Sequence, residues 1–170
     1  MKLIQVLNSY EIFLARLNIA LERFPSSQKF TFRTRIHNKA ISIWEDLLRT
    51  EVISNRSFKL KNSKMILEEL EILQGYIRLS KDQGFLGYID AKDMKFITQE
   101  RDQKTWMRKL TNIELQRKSI VWKKNAETEF FKLSKMLSEV VEKLLTWRNE
   151  LKSKRCNTDY VNNSDLWWLL

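Results

Sequence analysis

LNSYEIFLARLNIALERFPSS, residues 7–27, is the stretch that decides the fold. Leu7, Tyr10, Phe13, Leu14, Leu17, Leu21 and Phe24 recur at steps of three and four, and Leu3 extends the series backward. That spacing lines apolar side chains along one face of a helix, whereas a half-buried strand needs alternation at every second residue. Pro25 and the serines at 26 and 27 stop the pattern, because the ring of proline disfavours helical geometry in the residue before it.

Reading outward from there, helical patterns continue. A second helix begins between Gln28 and Thr34, shows Phe32, Ile36, Ala40, Ile43, Trp44, Leu47 and Leu48 on one face, and fades over residues 50–55. SNRSFKLKNSK, residues 54–64, reads as a basic turn, with Asn62 or Ser63 as the N-cap of a third helix from Lys64 to Asp82. Gly84 and Gly87 interrupt, and Asp90 caps a fourth helix over residues 91–115 with a weaker stripe of Met94, Ile97, Trp106, Leu110 and Ile113. A fifth pattern covers residues 121–151 through Phe130, Leu133, Met136, Leu137, Val140, Leu144, Trp147 and Leu151. Residues 157–165 read as a flexible connector before the apolar end Leu166, Trp167, Trp168, Leu169 and Leu170. The expectation is an all-α, up-and-down four-helix bundle over residues 1–116, a helical extension over 117–156, and a tail over 157–170 that ends in an apolar anchor.

Composition supports this reading. The 170 residues include three glycines and one proline, too few for the turns of a many-stranded sheet, while 43% hydrophobic content is enough for a core. Lys and Arg number 31 against 21 Asp and Glu, a net charge of +10 that draws the chain toward polyanions. A single cysteine, Cys156, permits no internal disulfide, and with a single histidine it cannot build a Cys/His zinc site. No signal-peptide pattern and no run of apolar residues long enough to span a bilayer stands out, so the expected compartment is cytoplasmic, with no membrane association.

No phosphate-binding glycine loop, dinucleotide fingerprint or zinc-protease motif is present. Arg33 and His37 share a helical face with three residues between them, which suits a phosphate grip but not the acid–base pair of helical-bundle ribonucleases. No enzyme, no metal and no cofactor is expected. The basic clusters carry more information. Residues 23–40 hold Arg23, Lys29, Arg33, Arg35 and Lys39 with no acid among them. Lys59 and Lys61 fall in a second cluster, and Arg101, Lys104 and Arg108 form a stripe at i, i+3 and i+7. Cations at helical spacing fit the repeating phosphates of a nucleic acid, and aromatic residues among them, Phe30 and Phe32 included, suit stacking on unpaired bases. These nine residues (Lys29, Arg33, Arg35, Lys39, Lys59, Lys61, Arg101, Lys104 and Arg108) are the expected nucleic-acid contacts. Trp167, Trp168, Leu169 and Leu170 are the expected protein contact, docking on this bundle or on another protein.

Two stretches carry a family resemblance. ALERFPSSQKFTFRTRIHNKAISIWEDLL resembles the passage from the first to the second helix in the accessory variability determinant (Avd) proteins of diversity-generating retroelements. The proteins encoded in intervening sequences of bacterial large-subunit rRNA genes share the pattern. Its elements here are Arg23, Phe24 and Pro25, then Lys29 or Arg33, then Arg35 and Ile36. LEELEILQGYIRLSKDQGFLGYIDAKDM is similar to the third helix and the acid-capped start of the fourth. The match covers residues 7–115; residues 116–170 have no counterpart in the family. The resemblance implies four-helix protomers in a homopentamer, with a basic surface that binds nucleic acid through Lys29, Arg33, Arg35 and Lys39. It also implies a reverse transcriptase as partner and a template RNA copied with errors. Two other functions fit the residues: a helical adaptor that works through its Trp-Trp-Leu-Leu end, and an rRNA intervening-sequence protein with a different role.

Overall fold

The computed structural model describes residues 2–25, 28–87 and 112–164. Among them are four α-helices and no strand: α1 (Leu3–Glu22), α2 (Thr34–Val52), α3 (Arg56–Asp82) and α4 (Asn112–Ser164). A π-helical turn, Lys29–Arg33, leads into α2, and a 3-10 turn, Phe85–Gly87, follows α3. α1 packs on α2 and α4, and α3 packs on the same two, so the helices close a ring in chain order. Cross-contacts fix the directions. Lys39 reaches Glu69, Arg56 reaches the carbonyl of Leu151, and Arg16 and Ser9 on α1 meet Glu129 and Lys143 on α4. Each neighbour therefore runs antiparallel to the last, as expected for an up-and-down bundle.

The apolar face of α1 goes where its spacing directs it. Leu3, Val6, Leu7, Tyr10, Phe13, Leu17, Ala20 and Leu21 are buried, and Ile36, Ala40, Ile43 and Leu47 meet them from α2. Each valine, leucine, isoleucine and phenylalanine among them contributes roughly 1.5–3 kcal/mol through removal from water. Gly84 ends the turn after α3 with φ +75°, the left-handed geometry that glycine adopts without a side-chain clash, and its N–H bonds the carbonyl of Lys81 at 2.9 Å.

Some sequence expectations change. α3 starts eight residues earlier than its pattern indicates, at Arg56, because the side chain of Asn55 accepts the N–H of Phe58 at 3.0 Å and caps the helix there. Asn62 and Ser63 cap nothing. Both are buried in mid-helix, where Asn62 donates to the carbonyl of Asp46 at 3.2 Å and to the hydroxyl of Thr50. The helix expected as an appendage is a wall of the core: Ala126, Leu133, Leu137, Val140, Leu144 and Trp147 of α4 are buried. Residues 157–164, read as a connector, continue α4. The helix expected over residues 91–115 lies outside the described residues apart from its last four, which begin α4.

Tyr10 sits fully inside, its hydroxyl donating to the carbonyl of Ala40 at 2.8 Å. Burial pushes its titration well above that of a free tyrosine. The folded-state value is raised, so the contribution to stability is complete below about pH 10, where the unfolded tyrosine begins to ionise, and declines as pH rises beyond it. Denaturant titrations of the wild type and Tyr10→Phe should show a loss of about 1 kcal/mol in the variant at neutral pH, and a gap that narrows in alkali.

Candidate nucleic-acid interface

A cluster of rings closes one end of the bundle. Phe24, at the end of α1, lies 5.8 Å from Phe85, and Phe32, in the π-helical turn, lies 5.9 Å from Phe85 and 6.1 Å from Tyr76. The edge-to-face arrangement of Phe32 on Tyr76, at 88°, is a preferred geometry for aromatic pairs. This plug seats the segment between α1 and α2. Local hydrogen bonds shape that segment further: Gln28 N–H to the carbonyl of Pro25 at 2.9 Å, and the hydroxyl of Thr31 to the side-chain oxygen of Gln28 at 3.1 Å.

On top of the plug stand the cations that sequence reasoning singled out. Arg33 is half-buried, Arg35 is exposed, and Arg23 is exposed across the connection. None of the three makes an ion pair with a carboxylate among the described residues. The first turn of α2 contains no acid and no side-chain cap. Cations here face the positive end of the helix dipole, which disfavours them by roughly 0.3–1 kcal/mol each. An anion placed among them reverses that cost, since the helix start and the guanidinium groups then attract it together. Lys29 lies in the π-helical turn.

The remaining candidates divide. Lys39 is paired with Glu69 of α3. Lys59 donates to the carbonyl of Glu51 at 3.3 Å, so it serves the last turn of α2. Lys61 is exposed. Arg101, Lys104 and Arg108 lie outside the described residues, as do Trp106 and the terminal Trp167, Trp168, Leu169 and Leu170. His37 is exposed one helical turn beyond Arg33. No group of three or more potential metal ligands occurs among the described residues. No helix among them is long and apolar enough to cross a membrane.

Sequence reasoning assigned positive charge to particular helices; the fold distributes it by level instead. At the plugged end, residues 22–35, 78–87 and 123–127 carry eight Lys and Arg against three Asp and Glu. At the middle level, residues 3–21, 36–48, 62–77 and 128–147 carry six against nine. At the far end, residues 2, 49–61 and 148–153 carry seven against two. Among the described side chains both ends are basic around an acidic waist, a pattern invisible until the helices are set in register. The ends are not equivalent. At the far end Arg56 holds the carbonyls of Leu151 and Lys152, Lys59 holds that of Glu51, and Arg49 pairs with Asp46. The plugged end keeps Arg23, Arg33 and Arg35 clear of such duties.

Compared with protein-family models, curated proteins and solved structures, the chain matches none of them.

Two adjacent residues of α3, Lys61 and Asn62, should respond differently to truncation. Lys61→Ala should leave the melting temperature within error of the wild type, whereas Asn62→Ala, which removes a buried amide that donates to the carbonyl of Asp46 and to the hydroxyl of Thr50, should cost about 1–2 kcal/mol in calorimetry.

Proposed function

We propose that this protein is a non-enzymatic nucleic-acid-binding subunit that grips phosphates at the plugged end of its bundle. The observation that carries the reading is Arg33 and Arg35, neither in an ion pair among the described residues, at an acid-free first turn of α2, with Arg23 likewise unpaired at the end of α1. A surface kept only for solubility would intersperse the two signs. The acidic waist favours end-on or tip contact over lengthwise binding, because a phosphate chain along the bundle would meet Glu45, Glu68 and Glu71. By its resemblance to the accessory variability determinants, the protein would serve a retroelement reverse transcriptase and its template RNA.

Binding to a structured RNA should weaken steeply with salt. About four phosphate contacts give a slope of roughly −3 in log affinity against log salt. A double variant, Arg33→Glu with Arg35→Glu, should abolish binding while the helical circular dichroism persists; Lys39→Ala should do less, because Lys39 is already paired. A nearly flat salt dependence would refute the reading.

Assembly between copies belongs to the same proposal, a pentamer by resemblance. The outer side of α1 supports it. Ile4, Ile12 and Ile19 are 45%, 64% and 45% exposed, on the face opposite the core, with Asn8 and Ala15 between them. A helix that is apolar on both faces is characteristically covered on both. In light scattering without nucleic acid, Ile12→Lys should lower the mass of the wild-type particle; a wild type that stays monomeric at every concentration rules the assembly out.

A further inference from the structure

Two outer faces of the bundle carry the same pattern. On α1, Ile12 and Ile19 are 64% and 45% exposed, with Ala15 exposed between them. On α3, Ile72 and Leu79 are 46% and 44% exposed, with Gly75 exposed between them. Both triplets run large, small, large at steps of three and four, the spacing of a seam between two packed helices. Both also stand at one height. Ile19 and Leu79 each lie three residues before the last residue of their helix, and the rings of Phe24 and Phe85 just beyond those ends meet at 5.8 Å. The corresponding outer line of α2 is polar, with Asn38, Ser42, Glu45 and Arg49. Among the described residues no packing requires Gly75. It lies in mid-helix, where glycine is less favourable than alanine, and a side chain added there would meet nothing within 4 Å. Close approach of a second helix backbone does require it.

We infer that the outer stripe of α1 in one copy packs on the outer stripe of α3 in the next, Ile12 and Ile19 against Ile72 and Leu79, with Ala15 and Gly75 letting the two backbones approach. The inference rests on the assembly reading above and names the two surfaces that meet. α1 and α3 each pack on α2 and α4, so their outer sides look in opposite directions from one protomer. A contact between two different surfaces leaves one of each unused in any pair, so it repeats from copy to copy until a ring closes. The equal height of the triplets lets successive copies stand side by side without climbing, which favours a closed ring over a filament. A second copy is the occupant that these features fit, because the chain itself supplies both halves of the match: the same spacing, the same order of large and small, and the same height.

The test measures mass by light scattering over a range of concentrations, for the full chain, Ile12→Lys, Ile72→Lys and a mixture of the two variants. The wild type should assemble. Each variant alone should be monomeric with its helical circular dichroism intact, because every α1–α3 contact it could make includes a lysine. In the mixture, Ile72→Lys offers an intact α1 and Ile12→Lys an intact α3, so a 1:1 dimer of about twice the monomer mass should form and grow no further. Gly75→Trp should lower the mass as well, since the room it fills in one copy is taken by α1 of the next. An Ile72→Lys or Gly75→Trp chain that assembles like the wild type overturns this inference and spares assembly through α1, as does a mixture that yields no dimer. Loss of the helical signal in Ile72→Lys assigns that face to the chain's own packing and also overturns it. A wild type that is monomeric at every concentration overturns both this inference and the assembly reading.

Discussion

Phe85 touches two other rings, Phe24 at 5.8 Å and Phe32 at 5.9 Å, and through them it pins the end of α1, the start of α2 and the end of α3 to one place. Without that plug, Arg23, Arg33 and Arg35 would move independently, and three mobile cations bind an anion more weakly than three held together, because binding must first order them. Hydrophobic burial at one end of the bundle thus organises the charge that stands above it. The same packing sets the direction of Phe32.

Charge is arranged with equal economy in the rest of the molecule. An ion pair joins α1 to α4: Arg16 places one guanidinium nitrogen 2.6 Å from both oxygens of Glu129, a residue only 8% exposed. Lys132 adds a second cation at 3.4 Å. Lys39 and Glu69 do the same between α2 and α3. These contacts lie at the waist, where carboxylates outnumber cations, so they consume opposite charges in place and leave the surplus of positive charge at the two ends. Such pairs add specificity to the helix register more than stability, since the cost of removing charges from water offsets much of their attraction.

Much of this was legible in the sequence, for definite reasons. The face of α1 follows from its spacing alone, since Leu3 to Phe24 admit one helical reading and the structure buries those residues as a set. The arginines of the α1–α2 connection were visible as a run without acids. What the sequence could not convey was anything set by a distant partner. Asn62 and Ser63 have the composition of a cap, and only the approach of Asp46 and Thr50 from α2 makes them a buried link. Lys39 and Lys59 look as free as Arg35 until Glu69 and the carbonyl of Glu51 arrive beside them. The stripe of α4 was recognised as a helix, but its place as a wall of the core depends on α1 and α3. Phe30 and Phe32 have the same side chain two positions apart, and the contact of Phe32 with Tyr76 and Phe85 distinguishes the inward ring.

The ring of helices also has a seam. α1, α2 and α3 meet across short connections, three residues in the case of Ile53 to Asn55, whereas the bonds that join α1 to α4 span 113 residues from Arg16 to Glu129 and 134 from Ser9 to Lys143. Closing a long loop costs more chain entropy than closing a short one, so the two hairpins assemble early and the α1–α4 seam forms last. During synthesis the first three helices accordingly leave the ribosome with the flank that Leu133, Leu137, Val140 and Leu144 of α4 later cover still open. That open flank is the surface on which a chaperone would act, and the docking of α4 is the event that ends its access.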